Sequence, residues 1–317
     1  MLTIDNLKIS LVGSNGRMGQ MLTKKLKDKV QTLNLIDLRP GARELNDEDL
    51  KTTIPESDLV LLAVPASNLE SVLKKVSRFL RFDTVLSDIT SVKILPMQLM
   101  EKYHPGPVIG THPLFGPGAS FMPTTGVEQS TEDVPPSTSP EDAEGEAAKS
   151  PESNPKQAKP EPAAPPLPQC AFDDELRNVA LVKGIHAQYA DLKLLETLFF
   201  SLGFKTFETT ATEHDQAIAI IQALNFLSNL AYFSTASKLP NLEKYVTPSF
   251  KRRLTSAQKM LLDDAALFTG IARSIPELHM AVDEYIHALQ NAASLDQGSI
   301  DKMLQMARKY YDQFPYS

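Results

Sequence analysis

The feature that most constrains this chain lies at its start. It is an apolar run, a glycine-punctuated turn, an amphipathic run and a second apolar run closed by an acid. In LKISLVGSNGRMGQMLTKKL, residues 7–13 are apolar at nearly every position and end on Gly13, and Gly16 and Gly19 follow at equal spacing. The first run reads as a strand buried on both faces, and helical spacing begins near Arg17. TLNLID then ends at Asp37, 18 residues beyond Gly19. Strand, turn, helix, strand and acid together make a dinucleotide-binding unit. Gly13 permits a sharp turn, Gly16 leaves no side chain between backbone N–H groups and a pyrophosphate, and Gly19 lets helix and sheet approach. The helix N-terminus offers partial positive charge to the phosphates. Asp37 can accept from a ribose diol and would repel a 2′-phosphate, which favours NAD. Arg39 is the group that would hold the phosphate if NADP were used instead. The spacing, GxxGxxG, is one residue longer than the usual GxGxxG. The expected cofactor contacts are Gly13, Asn15, Gly16, Arg17, Met18, Gly19 and Asp37.

Further along, LVLLAVP (59–65), TVLSDI (84–89) and VIGTH (108–112) read as strands, with helical spacing over 67–80 and from about Ser91. Alternation of this kind predicts an α/β fold, a doubly wound parallel Rossmann-type sheet. Ligands bind such sheets at the C-terminal ends of the strands. That rule adds Val64, Pro65, Asp88, Ser91, Thr111 and His112 to the rim of one crevice. NVALVKG (178–184), a helix closed by Gly203 and KTFET complete a nucleotide domain over 1–210. Residues 211–317 read as an all-helical domain, with helices near 213–233, 249–272, 276–293 and 297–313. The helix at 213–233 is apolar nearly all round, so it should be buried and should supply a homodimer surface. Thr212 and Asp215 stand in capping-box spacing.

Residues 123–171 interrupt this pattern with 11 of the 23 prolines and no aromatic residue. Such a segment buries too little apolar surface to offset its ordering entropy, and a disordered acidic insertion is expected. It holds nine acids and three lysines, and so accounts for most of the net charge of −7. The rest of the chain is near neutral, which gives no reason to expect a nucleic-acid partner. No 18-residue apolar run suggests a membrane span, and no signal pattern opens the chain. Cys170 is the single cysteine, in keeping with a reducing cytoplasm. No Cys/His/Asp/Glu spacing suggests a metal.

His112, in THPLFGP, could accept a proton from a substrate hydroxyl beside the nicotinamide, or could cap the following turn. Ser91, in DITSVK, could cap a helix while its hydroxyl faces the crevice mouth. Lys93 reads as solvated. His214, Gln222, Asn225 and Asn229 share one narrow stripe of the apolar helix; they could bond other helices or form a polar substrate wall. Lys251, Arg252, Arg253 and Lys259 could be a solvated face or could supply a cation for a carboxylate.

Taken together, SDITSVK, GTHPLFG and ATEHD…IQAL resemble the bacterial prephenate dehydrogenases of tyrosine biosynthesis, over both domains apart from 123–171. The resemblance implies NAD-dependent oxidative decarboxylation of prephenate to 4-hydroxyphenylpyruvate by a homodimer. It implies that His112 is the catalytic histidine, Ser91 the serine supporting it, and His214 and Gln222 substrate-lining residues. The family's carboxylate-binding arginine aligns with Lys259 here, with Arg252 and Arg253 upstream. Arogenate or 4-amino-4-deoxyprephenate is therefore an alternative substrate, and a catalytically silent NAD-binding scaffold is a reading of another class. Neither a fused chorismate mutase domain nor a regulatory domain is expected.

Overall fold

The computed structural model describes residues 3–37, 47–116, 177–258, 265–294 and 296–311. Arg39, Cys170, Lys259 and the whole 123–171 segment lie outside them. Seven strands form one sheet: β1 (Lys8–Val12), β2 (Thr32–Ile36), β3 (Leu59–Leu62), β4 (Val85–Asp88), β5 (Val108–Pro113), β6 (Asn178–Lys183) and β7 (Lys205–Glu208). The order is β2-β1-β3-β4-β5-β6-β7. The first five strands are parallel to one another. The doubly wound, mostly parallel sheet carries one antiparallel pair: β6 runs antiparallel to β5, and β7 follows β6. The chain returns from β5 to the neighbouring strand without a helical crossover among the described residues, and a parallel pair would need one.

Helices α1 (Arg17–Leu26), α2 (Asp47–Thr53), α3 (Ala66–Val76), α4 (Ile94–Tyr103) and α5 (Tyr189–Ser201) cover the sheet. The short α2 is anchored by Leu50, 1 % exposed. Alternate residues of each strand enter opposite cores. Ile9, Leu11, Leu59 and Leu61 join Leu22 of α1 and Leu195 and Phe199 of α5. Val12, Val60, Leu62 and Leu86 join Leu69 and Leu73 of α3 and Met97 and Met100 of α4. Burial on both faces explains why these strands are nearly continuous apolar runs.

The C-terminal region comprises α6 (Ala211–Ala236), α7 (Pro248–Gln258), α8 (Ala265–Ser274), α9 (Leu278–Ala293) and α10 (Gln297–Tyr311). Thr210 caps α6 and Glu213 returns the bond to the Thr210 N–H. The capping box thus lies two residues before the Thr212–Asp215 pair, which frees Asp215 for another task. Residues Ala219–Leu224 of α6 form a π turn. The helix is less buried than its composition implies: Ile220, Ile221, Leu230 and Tyr232 are exposed. By length and composition α6 could cross a membrane, with mean hydropathy 1.4, which sequence inspection did not bring out. Its inner face instead packs Ile218, Ala219 and Ala223 on Ile271, Ile275 and Leu278. Val92 of the nucleotide domain enters the same cluster.

Candidate active site

Two structures meet at the C-terminal ends of the strands. The first is a crevice at the switch point between β1 and β3. It is about 410 Å³ in volume, lined by Gly13, Gly16, Asp37, Val64 and Pro65 and, on α3, by Asn68, Ser71 and Lys75. Gly13 has φ +88°, and a Cβ there would lie 2.4 Å from the Ala63 carbonyl oxygen. A Cβ on Gly19 would lie 2.2 Å from the Gly13 oxygen. Both positions therefore require glycine. The Gly13 and Ser14 N–H groups donate to the Ile36 carbonyl, tying the turn to β2, and the Asn15 N–H donates to Asp37 Oδ2 at 3.1 Å. No side chain caps α1 at Gly16, so its N-terminus is open to an anion. The arrangement fits a dinucleotide. Arg17 is exposed and Met18 leans on the core.

The second structure is a line of hydrogen bonds across the two domains. His112, at the end of β5 and 4 % exposed, meets His214 of α6 with 2.9 Å between Nδ1 and Nε2. His214 Nδ1 meets Asp215 Oδ1 at 2.7 Å. Asp215 also accepts from the Lys93 N–H at 2.6 Å and the Ile94 N–H at 2.9 Å. It thereby caps α4 from the opposite domain, filling the role that sequence reading offered to Ser91. Among the described residues, half-buried Ser91 makes no side-chain hydrogen bond. Burial first, then His214 and the Lys93 ammonium, hold the His112 pKa well below the ordinary histidine value. His112 is accordingly neutral, with the protonation state of a base.

Lys93 corrects the sequence reading most sharply. It is fully buried, and its ammonium donates to Asp88 Oδ2 at 2.6 Å and the Thr111 carbonyl at 2.7 Å. Asp88, expected on the cofactor rim, is fully buried as well and also accepts from the Thr90 N–H and hydroxyl. The pair fastens the ends of β4 and β5 together, directly before His112. Burial lowers the Lys93 pKa, and the charges of Asp88 and Asp215 oppose that shift.

The polar stripe of α6 divides. His214 contacts His112, while Gln222 is half-buried two turns on. Asn229 Oδ1 accepts from Arg253 Nε at 3.3 Å, and the Arg253 guanidinium stacks 3.9 Å from the Tyr232 ring. Asn229 is fifteen residues beyond His214, about 22 Å along a helix. One small substrate cannot span both. Arg252 is exposed and bonds Ser249 in its own helix. Within one chain, neither arginine stands beside His112. Sequence reasoning missed Lys93 and Asp215; their signal was the pairing of SDITSVK with EHD, two polar clusters in otherwise apolar surroundings. No group of acidic, His or Cys side chains suited to a metal occurs among the described residues.

Residues 22–136 match the family described as prephenate dehydrogenase, nucleotide-binding domain. The T-protein of Haemophilus influenzae is 24% identical over 268 residues, which is 83% of this chain and 55% of that protein. The chain thus spans about half the length of that relative. A solved prephenate dehydrogenase from A. aeolicus, in complex with hydroxyphenyl propionate and NAD+, shares the fold with TM-score 0.66. It is 17% identical, with 98% of this chain and 99% of that one covered. Synechocystis arogenate dehydrogenase superposes with TM-score 0.59 at 16% identity, over 98% and 100% of the two chains. Residues 22–136 thus match the nucleotide-binding domain of the prephenate dehydrogenase family, and the chain as a whole shares the fold of these solved enzymes.

Proposed function

We propose that this chain oxidises and decarboxylates prephenate with NAD+, giving 4-hydroxyphenylpyruvate, CO2 and NADH. The carrying observation is His112. It is buried and neutral at the end of a sheet strand, one ring nitrogen is bound to His214, and Nε2 has no protein partner among the described residues. With the dinucleotide bound in the glycine crevice, its nicotinamide would supply the acceptor for two electrons. Asp37 would bind the adenosine ribose, and Gly13–Gly19 the pyrophosphate. His112 Nε2 takes the proton of the ring hydroxyl as the C4–H electron pair departs. The ring carboxylate then leaves as CO2, driven by aromatisation, and His112 returns the proton to the phenolate oxygen. The half-buried Ser91 hydroxyl stands near the start of α4 to support the same substrate oxygen, and His214 and Gln222 line the substrate side. The exposed apolar residues of α6 favour a homodimer, which would cover them. NADH production with prephenate, arogenate and 4-amino-4-deoxyprephenate side by side tests the reading. Prephenate should give the highest kcat/KM; no turnover of any of the three would overturn it, and preference for an amino substrate would reassign it.

A further inference from the structure

We propose that Asp215 is a positioning residue that sets the His112 tautomer through His214, leaving a lone pair on His112 Nε2. The proposal rests on the proton-accepting role given to His112 above, and the hydrogen-bond line supports it step by step. The Asp215 carboxylate can only accept, so the contact at 2.7 Å requires a proton on His214 Nδ1. A neutral His214 then has only a lone pair on Nε2, and the 2.9 Å contact requires a proton on His112 Nδ1. His112 Nε2 is left unprotonated, the form that can accept from a hydroxyl.

The competing arrangement puts a second proton on His214, reverses the last bond and gives His112 an Nε2–H that cannot act as a base. The charged groups around the pair are the Asp215 carboxylate on α6, the Lys93 ammonium and Asp88. Lys93 and Asp88 form their own ion pair, and both imidazoles are buried. Burial disfavours a charged imidazole.

Asp215 has a second role that makes the device specific to the docked domains. Its two oxygens also hold the Lys93 and Ile94 N–H groups, so the carboxylate is oriented by the nucleotide domain while it orients a histidine of the helical domain. An asparagine could not serve every donor. With its carbonyl on His214 Nδ1, its NH2 group would face the Ile94 N–H. With the amide turned over, the NH2 would face His214 and favour the wrong tautomer.

Imidazole nitrogen NMR on the full chain at neutral pH, without substrate, reads the tautomer directly. Nδ1–H on His112 is expected in the wild-type protein; Nε2–H there would overturn the proposal, whatever the enzyme acts upon. Asp215→Asn should shift His112 toward Nε2–H and lower kcat roughly 10²-fold, while NAD+ affinity stays within a few-fold. Retention of the Nδ1–H form with full turnover in Asp215→Asn would also overturn it. If Asp215→Asn does not fold, the wild-type spectrum still decides. An Nδ1–H signal in a protein inactive on prephenate would refute the substrate reading and leave the relay standing.

Discussion

The glycine crevice, at β1 and β3, and the histidine line, at β5, lie at strand ends of one sheet, yet they are built from different materials. The crevice is backbone: the turn from Gly13 to Gly16 leads into the uncapped N-terminus of α1, and close approach excludes side chains. The histidine line is side chain, and its members come from both domains. A backbone site is lost by adding an atom, and its loss takes local folding with it. A side-chain site can lose its chemistry while the fold survives. Binding and turnover should therefore be separable in this protein by single substitutions.

The sharpest break is His112→Asn. It should lower kcat by about 10²–10⁴-fold, the usual contribution of a positioned base, with NAD+ affinity nearly unchanged. Stopped turnover with intact cofactor binding, measured by steady-state kinetics and NAD+ titration, supports the division; an unchanged rate removes His112 from the chemistry. An unperturbed histidine would place the acid limb of the pH profile near ~6.5. The depressed His112 pKa moves that limb to clearly lower pH. Stability follows the same sign. Between the unfolded value and the lower folded one, the unfolded chain binds more protons, so stability falls as pH drops through that window. His104, also depressed by burial, adds to the effect.

Next in size is Gly13→Ala. Its Cβ would meet the Ala63 backbone at a residue with φ +88°, and strain of this kind costs about 1–3 kcal/mol before any repacking. Thermal stability and NAD+ affinity should fall together. A variant that kept its melting temperature and lost only turnover would contradict the contrast. The smallest effect is expected at Arg252, exposed and bonded within α7. Arg252→Ala should change stability by no more than about 0.5 kcal/mol and leave the KM for prephenate within a few-fold. A tenfold rise in KM would return Arg252 to the substrate site.

The same contrast explains what could be read from sequence. Strand, turn and acid are local patterns, and Gly13, Gly19 and Asp37 occupy the places their spacing implied. His112 was legible because the end of a strand is a position in the chain as well as in space. Lys93 was not. A lysine near a helix start resembles a solvated one until β4 and β5 bring Asp88 and Thr111 around it. Asp215 was read as a local cap because its true partners, Lys93 and Ile94, lie more than a hundred residues away. The polar stripe of α6 left two readings open for another reason: angular position shows which residues share a face but hides the distance along it.

The pairing of β5 with β6 has a consequence for how the chain could be cut. Pro113 lies opposite Val179 and His112 opposite Ala180, so the chain leaves the sheet and re-enters it on adjacent strands. Covalent continuity between residues 116 and 177 is not needed to define that register, which the ladder and the cores on both faces fix. Opening the polypeptide there should give two pieces that reassociate, one carrying β1–β5 with α1–α4 and the other β6, β7 and α5–α10. His112 belongs to the first piece and its imidazole partner, His214, to the second. NADH formation would then report reassembly of the two, a built-in complementation assay.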